Sequence, residues 1–397
     1  MRSRLIPLLL VVLMSLGLSP FLAHACQFEN IEFLNDFPTA RLNECQQLSN
    51  SAFLLTVDAE NRPINNSPWY AFKVIGKQAQ TIDISLQVVD GKPRYTPKIS
   101  VDGEVWDNID FKVSDGLLRF SVIAGNAPVW ISAQEIIDNE DITQWLAAHS
   151  KASYIKHFFV GKSTQGAPIE AVELTQDGNT EWLVIIGRQH PPEVTGSVAL
   201  LAFAEELFRS SELTATFLQR FNVLIVPNMN PDGVSAGNWR HNSKGVDLNR
   251  DWGKFTQAET RAVGSKLESI VAAGGKIVFA LDFHSTQQDI FYTMPTDYAI
   301  APQMLVHNWL DVLKQQVISS FVVRNRPGSS PGRGVFKQFI ADTYKVNAVT
   351  YEMGDNTERA IIKDVAEHAA RTLMTSLLTT PPEDFAVSPT SILQIED

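Results

Sequence analysis

Residues 182–186, WLVII, form a continuous apolar run closed by Gly187. Five such residues bounded by a glycine read as a strand buried on both faces, the kind found inside an α/β sheet. His190 and Glu193 follow within a few residues, separated by two prolines, and residues 197–208 then read as an amphipathic helix. Strand, short loop and helix leave His190 and Glu193 at the carboxyl end of a buried strand, where open α/β sheets place their ligands. An imidazole and a carboxylate at this spacing can reach one cation, and a catalytic zinc typically takes three protein ligands plus a water. The pattern therefore calls for a third ligand and a base elsewhere in the chain.

Both are available. From residue 154 the chain alternates strands with helices. Further buried strands are expected at 221–227, 276–283 and 347–352, and further helices at 256–273, 301–319 and 356–378. Such alternation predicts an α/β fold, a mixed and mostly parallel sheet covered by helices on both faces. The 276–283 strand delivers His284 at its end, and the 347–352 strand delivers Glu352. If these strands are neighbours, His190, Glu193, His284 and Glu352 share one rim. Two histidines and a glutamate are a known catalytic zinc set, and Glu352 would be the base or acid working on the water. His149, His157, His241, His307 and His368 stand outside this pattern and are expected to be structural or surface residues. The loop after the second strand carries Arg240, Asp247, Asn249 and Arg250. Arginines near a metal site suit the recognition of a carboxylate, because the guanidinium is a planar fork.

Before residue 154 the texture differs. Residues 1–25 have a basic start (Arg2, Arg4), an apolar stretch and a small-x-small site at Ala23-His24-Ala25, the pattern of a signal peptide. About 14 apolar residues are too few to cross a bilayer, and no later run is long enough, so no membrane span is expected. Export to the periplasm or the medium follows as the expected location. Removal of the segment changes the formal charge from −11 to −13, and an acidic protein is a poor candidate for nucleic acid. Cleavage would leave Cys26 first, as in a lipoprotein, although Ala23 stands where a lipobox has leucine. Cys26 and Cys45, the only cysteines, could instead pair in an oxidising compartment or remain free thiols.

Residues 26–136 contain short runs rich in aromatic and β-branched residues at 53–57, 69–75, 81–89, 117–122 and 128–131, separated by turn signals such as Asp90-Gly91 and Asp115-Gly116. A small β-sandwich of about seven strands is expected. It could bind glycans or proteins, or serve as a packing partner for the second domain. Residues 137–153 read as a linker with a polar helix at its centre, 154–380 as the catalytic domain and 381–397 as a tail.

The motifs resemble those of the zinc carboxypeptidases of the carboxypeptidase A superfamily. The matching residues, in order, are His190 and Glu193, Asn230-Pro231-Asp232-Gly233, Trp239-Arg240, Gly245-Val246-Asp247-Leu248-Asn249-Arg250, Phe283-His284-Ser285 and Thr350-Tyr351-Glu352. Within the superfamily the chain is similar to bacterial relatives of the cytosolic carboxypeptidases, which also place a β-sandwich first. That likeness rests on Gly187-Arg188-Gln189-His190, on Gly237-Asn238-Trp239-Arg240 and on Tyr95, Pro97, Ser100, Asp102, Gly103 and Trp106. The resemblance implies one zinc ion held by His190, Glu193 and His284, with Asp247 fixing the tautomer of His190. It implies that Asn249 and Arg250 bind the free C-terminal carboxylate of a peptide, that Arg240 stabilises the oxyanion, and that Glu352 is the general base. One feature departs from the family: residues 324–334 contain no tyrosine where many members have a mobile one. Arg326, Arg333 and Lys337 make this region basic, which suits acidic C-terminal residues. Two other readings share the scaffold, a murein-peptide amidase and a deacylase of N-acyl amino acids. A third is a catalytically dead relative that only binds.

Overall fold

A computed structural model describes residues 26–386. The expected signal segment at 1–25 and residues 387–397 of the expected tail lie outside the described residues. Among the described residues no helix is long and apolar enough to cross a membrane.

The first unit is built from two sheets, one six-stranded and one five-stranded. Their strands show the alternating burial of a sandwich: Ala52–Val57 and Leu117–Ala124 turn every second residue inward. Phe33, Phe72 and Val74 from one sheet meet Phe53, Ile84 and Leu86 from the other in a common core. The strand count exceeds the expected seven. The additional strands are short pieces such as Cys26–Gln27 and Asp107–Asn108, too brief to leave a periodic signal. Cys26 and Cys45 form a disulfide with Cα atoms 6.0 Å apart, which ties the first strand to the opposite sheet.

The second unit is an eight-stranded mixed sheet. Its centre is parallel. Glu181–Gly187 lies between Phe221–Val226 and Lys276–Thr286, and Asn347–Gly354 follows on the far side of Lys276–Thr286. Antiparallel strands close both flanks: Pro168–Leu174 beside Phe221–Val226, and Ile290–Thr293 beside Asn347–Gly354. The four central strands are the ones expected from their apolar runs. The flanking strands are short or amphipathic and carry no comparable signal. Helices Val194–Phe208, Leu305–Gln316 and Arg359–Thr379 cover one face through Phe203, Trp309 and Leu373, and helices Ala258–Ala272 and Phe336–Tyr344 cover the other through Leu267 and Ile340.

The helix expected between the units spans Asn139–His149 and is started by a capping box at Asp138 and Asp141. It does not hang between them. Ile142 and Leu146 are buried in the core of the second unit, so this segment packs as part of it.

The two units meet across a polar and tightly paired surface. Arg94 forms a two-pronged ion pair with Asp355, at 2.8 and 3.0 Å, and Gln134 donates to the Asp355 carbonyl. In the opposite direction, Trp239 of the second unit is completely buried in the sandwich core.

Register matters most at one edge. His284 pairs with Glu352 across the parallel strands, and Gly187 pairs with Phe283. The strand ends are therefore in step. Helix Val194–Phe208 is pressed directly against this edge: a Cβ on Gly196 would sit 2.6 Å from the His284 carbonyl oxygen and 2.7 Å from its carbon. Backbone cannot retreat as a side chain can, so Gly196→Ala is expected to lower the unfolding free energy by about 1–3 kcal/mol. Chemical denaturation would check this, and a variant as stable as the parent would contradict it.

Candidate metal centre and active site

His190, Glu193 and His284 come together at this edge. Among the described residues they form the one group whose donor atoms fit a metal, all within 4.8 Å of one another. His190 Nδ1 lies 2.8 Å from Glu193 Oε1, and His284 Nδ1 lies 2.7 Å from Glu193 Oε2. All three side chains are buried.

The far nitrogens decide what the near ones can be. His190 Nε2 is 2.9 Å from Asp247 Oδ1, and His284 Nε2 is 2.8 Å from Asp282 Oδ2. A carboxylate accepts, so each Nε2 carries the hydrogen and donates. In the neutral imidazole each Nδ1 is then a lone pair, and both lone pairs face the oxygens of Glu193. Three electron-pair donors aimed at one another are stable only around a cation, which is the condition that zinc meets with N and O ligands. In its absence protons take that place. Burial disfavours the His284 imidazolium, but Asp282 and Glu193 outweigh it and hold its pKa well above the usual histidine value. Burial likewise opposes ionisation of Glu193, yet the two histidines hold its pKa well below the carboxylate range. The donor set therefore fits a divalent ion such as zinc.

Asp282 is a support that sequence reasoning missed. The signal was present: residues 282 and 284 are two apart on one strand and must share a face. Asp247 emerges where expected and is doubly engaged, since its second oxygen accepts from Arg240 Nε at 2.8 Å. Arg240 in turn brings Nη1 to 4.0 Å from Glu193 Oε1, at the rim of the donor set.

Glu352 is half-buried beside His284, and its Oε2 is shielded from solvent without a hydrogen-bond partner. Burial pushes its pKa up to about 7. Arg250 is also uncommitted: among the described residues no carboxylate lies within ion-pair distance, and its one side-chain bond is to the Asn249 carbonyl at 2.6 Å. Burial lowers its pKa; the charge of Asp247 opposes this, and those of Arg240 and Arg333 add to it. Asn249 is oriented differently. Its Oδ1 accepts from Phe336 N at 2.9 Å, and this bond holds the amide behind the site, with Nδ2 at 3.2 Å from His284 Nε2.

The loop without a tyrosine packs on the Arg250 turn, where Gly334 accepts from Trp252 N. Lys337 is buried beneath it. Its Nζ bonds only to the Thr293 and Gly328 carbonyls and to Met294 Sδ, and burial lowers its pKa to about 8. Across the sheet, Tyr292 pairs with both Thr350 and Arg326, two residues along the strands from Glu352. Strand alternation puts these three side chains on the same face as Glu352. Tyr292 was not singled out by the sequence because its short strand has no periodic signature. Of the remaining histidines, His157 bonds to Glu170, His307 to Asp311, His368 to Asp364 and His149 to the Trp145 carbonyl, while His241 reaches Asn61 of the sandwich.

The profile of the zinc carboxypeptidase family matches residues 142–371, more than half of the chain. The protein belongs to the zinc carboxypeptidase family. An uncharacterised protein of Zymomonas mobilis is 25% identical over 226 residues, 55% of this chain and 58% of that protein. Cytosolic carboxypeptidase 4 of Mus musculus is 30% identical over 151 residues, 34% of this chain and 13% of the mouse protein. The chain thus spans 58% and 13% of these relatives' own lengths. Among solved structures, a metallo-carboxypeptidase from Burkholderia cenocepacia superposes with a TM-score of 0.74 at 16% identity, covering 88% of this chain and 99% of that one. A metallo-carboxypeptidase from Pseudomonas aeruginosa, in complex with (2-guanidinoethylmercapto)succinic acid, gives 0.72 at 21% identity, covering 87% and 98%. These likenesses extend the shared fold to the β-sandwich as well as the catalytic sheet.

Two outcomes follow from the donor geometry. Asp282→Asn should weaken zinc binding by about 10–100-fold, because the amide no longer fixes the His284 tautomer. Competition with a fluorescent chelator would measure it. Zinc affinity should also fall as pH drops, since a proton occupies the His284 Nδ1 position that the ion needs. Calorimetry in buffers of different ionisation enthalpy should show protons released on binding; no release would contradict the proton placed on His284 Nδ1 in the metal-free site.

Proposed function

We propose that the protein is an exported zinc-dependent metallocarboxypeptidase that hydrolyses the C-terminal amide bond of peptides. The reading is carried by one juxtaposition: an unpaired guanidinium, Arg250, and an unpartnered carboxylate, Glu352, flank the buried His190, Glu193 and His284 donor set. One ion held by those three residues would supply a Lewis acid that acidifies water and polarises a carbonyl. The chain's own groups do the rest. Arg250 receives the terminal carboxylate of the substrate, with Asn249 bracing the turn beside it. Glu352 takes a proton from the attacking water and returns it to the leaving amine; its elevated pKa suits both transfers near neutral pH. Arg240, held by Asp247, meets the charge that develops on the carbonyl oxygen. Arg326, in register with Tyr292 and Thr350, and Arg333, near Arg250, lend positive charge to this side of the pocket, which favours an acidic terminal side chain. The Cys26–Cys45 disulfide supports export, because such bonds persist in oxidising compartments.

Mass-spectrometric product analysis on a peptide library that includes γ-glutamyl stem peptides tests this reading. Loss of single C-terminal residues is expected, abolished by chelator and by Glu352→Gln. Cleavage confined to γ-linked peptides would turn the reading to a murein-peptide amidase, and a zinc-loaded chain that cuts nothing would overturn it. Arg250→Ala should raise KM far more than it lowers kcat, because the anchor is used in ground and transition states alike. The acid limb of kcat/KM should fall at or below about 7, since activity is lost as Glu352 gains a proton and a bound cation lowers its pKa further.

A further inference from the structure

The loop that carries Arg240 is not held in place by the catalytic sheet. Residues 236–247 contain no helix or strand, and an irregular loop does not by itself fix a guanidinium to the accuracy that a catalytic group requires. The backbone amides of Trp239, Arg240 and His241 instead all donate to one carboxylate, that of Glu60 in the β-sandwich. Trp239 N reaches Oε2 at 2.7 Å, while Arg240 N and His241 N reach Oε1 at 3.0 and 2.7 Å. The Glu60 side chain is 9% exposed and, among the described residues, has no lysine or arginine within ion-pair distance. His241 Nδ1 lies 3.7 Å from its Oε1. Removing a carboxylate from water is costly, and charge-assisted bonds from successive amides offset that cost while fixing the direction of each N–H.

The sandwich holds the rest of the loop as well. Asn61 bonds the Gly245 carbonyl and His241 Nδ1. The Trp239 indole donates to the Trp69 carbonyl at 2.9 Å from within the sandwich core. Thr39 N donates to Ser235, and Gly237, at φ +61°, sits where a Cβ would approach the Thr39 carbonyl oxygen to 2.6 Å. From Glu60 the contacts run on to the metal centre: through the Arg240 backbone to its Nε, to Asp247 and to His190 Nε2.

We propose that Glu60 is a positioning residue for the reaction, the group through which the β-sandwich aims Arg240 at the oxyanion and steadies Asp247 behind His190. The catalytic part of the statement rests on the peptidase reading above. The sandwich is then a structural half of the active site rather than an appended binding module.

Glu60→Gln in the full chain is the test. Whichever way the new amide turns, its NH2 meets a backbone donor. In the zinc-loaded protein kcat should fall between about tenfold and a hundredfold, with KM within about twofold and zinc content unchanged. In an Arg240→Ala background the same change should cost less than about twofold, because its route to the reaction is already gone. A second readout needs no activity: in the metal-free protein, amide hydrogen exchange in residues 236–247 should quicken at least about tenfold, while strand Lys276–Thr286 keeps its parental rate. If Glu60→Gln does not fold, Glu60→Asp keeps the charge at shorter reach and should still quicken exchange in residues 236–247 above the parental rate; parental exchange in Glu60→Asp would then overturn the proposal. Parental kcat and exchange in Glu60→Gln would overturn the proposal. So would an equal loss with and without Arg240, or a loss that tracks zinc content. If the parent itself cuts no peptide, the peptidase reading fails while hydrogen exchange still decides whether Glu60 holds the loop.

Discussion

Two imidazole nitrogens and one carboxylate pointing at a single place repel one another until something positive stands between them. The rest of this molecule is arranged around that conflict. Asp247 and Asp282 take the hydrogens on the far side of each ring, which turns the near nitrogens into lone pairs. Burial of all three donors removes the water that would otherwise screen them. The site is thus prepared for a cation by its hydrogen-bond directions as much as by its ligands.

That arrangement needs backbones in strict register. His284 and Glu352 are opposite residues on adjacent parallel strands, and the loop bearing His190 leaves the neighbouring strand at the same level. A slip of one residue in a strand would send each of these side chains to the other face of the sheet. Close packing at Gly196, where helix backbone touches strand backbone, leaves no room for such a slip. The price of this rigidity is that the groups free to act lie on the surrounding loops, and loops need something to hold them. The β-sandwich does so from outside, at Glu60, Asn61, Trp69 and Arg94.

Much of this was legible in the chain. The apolar runs at 182–186, 221–227, 276–283 and 347–352 marked the four central strands, because strands covered on both faces must be apolar throughout. His190, Glu193, His284 and Glu352 followed from lying just past or at the ends of those runs. Where the reading stopped, the physics was non-local. Asp282 looked like an ordinary strand residue until a histidine ring was seen to need an acceptor. Asn249 paired naturally with Arg250 in sequence, yet its amide is bonded to Phe336 and faces His284. Lys337 counted as a basic pocket residue, but its ammonium group is buried among carbonyl oxygens. The short strands Ile290–Thr293 and Asn325–Pro327, which bring Tyr292 and Arg326 beside the site, exist only because a neighbour pairs with them.

The sequence alone determined the two-unit plan, the α/β character of the second unit and the residues that make up the candidate metal centre. Hydrophobic periodicity and strand-end chemistry are local properties that one chain segment carries by itself. Tertiary structure alone decided which hydrogen bonds fix the donors and which charges stay unpaired. It also decided that a glutamate of the sandwich, 180 positions before Arg240, holds the loop on which that arginine sits. Those outcomes depend on where distant segments meet, and no local pattern encodes that meeting.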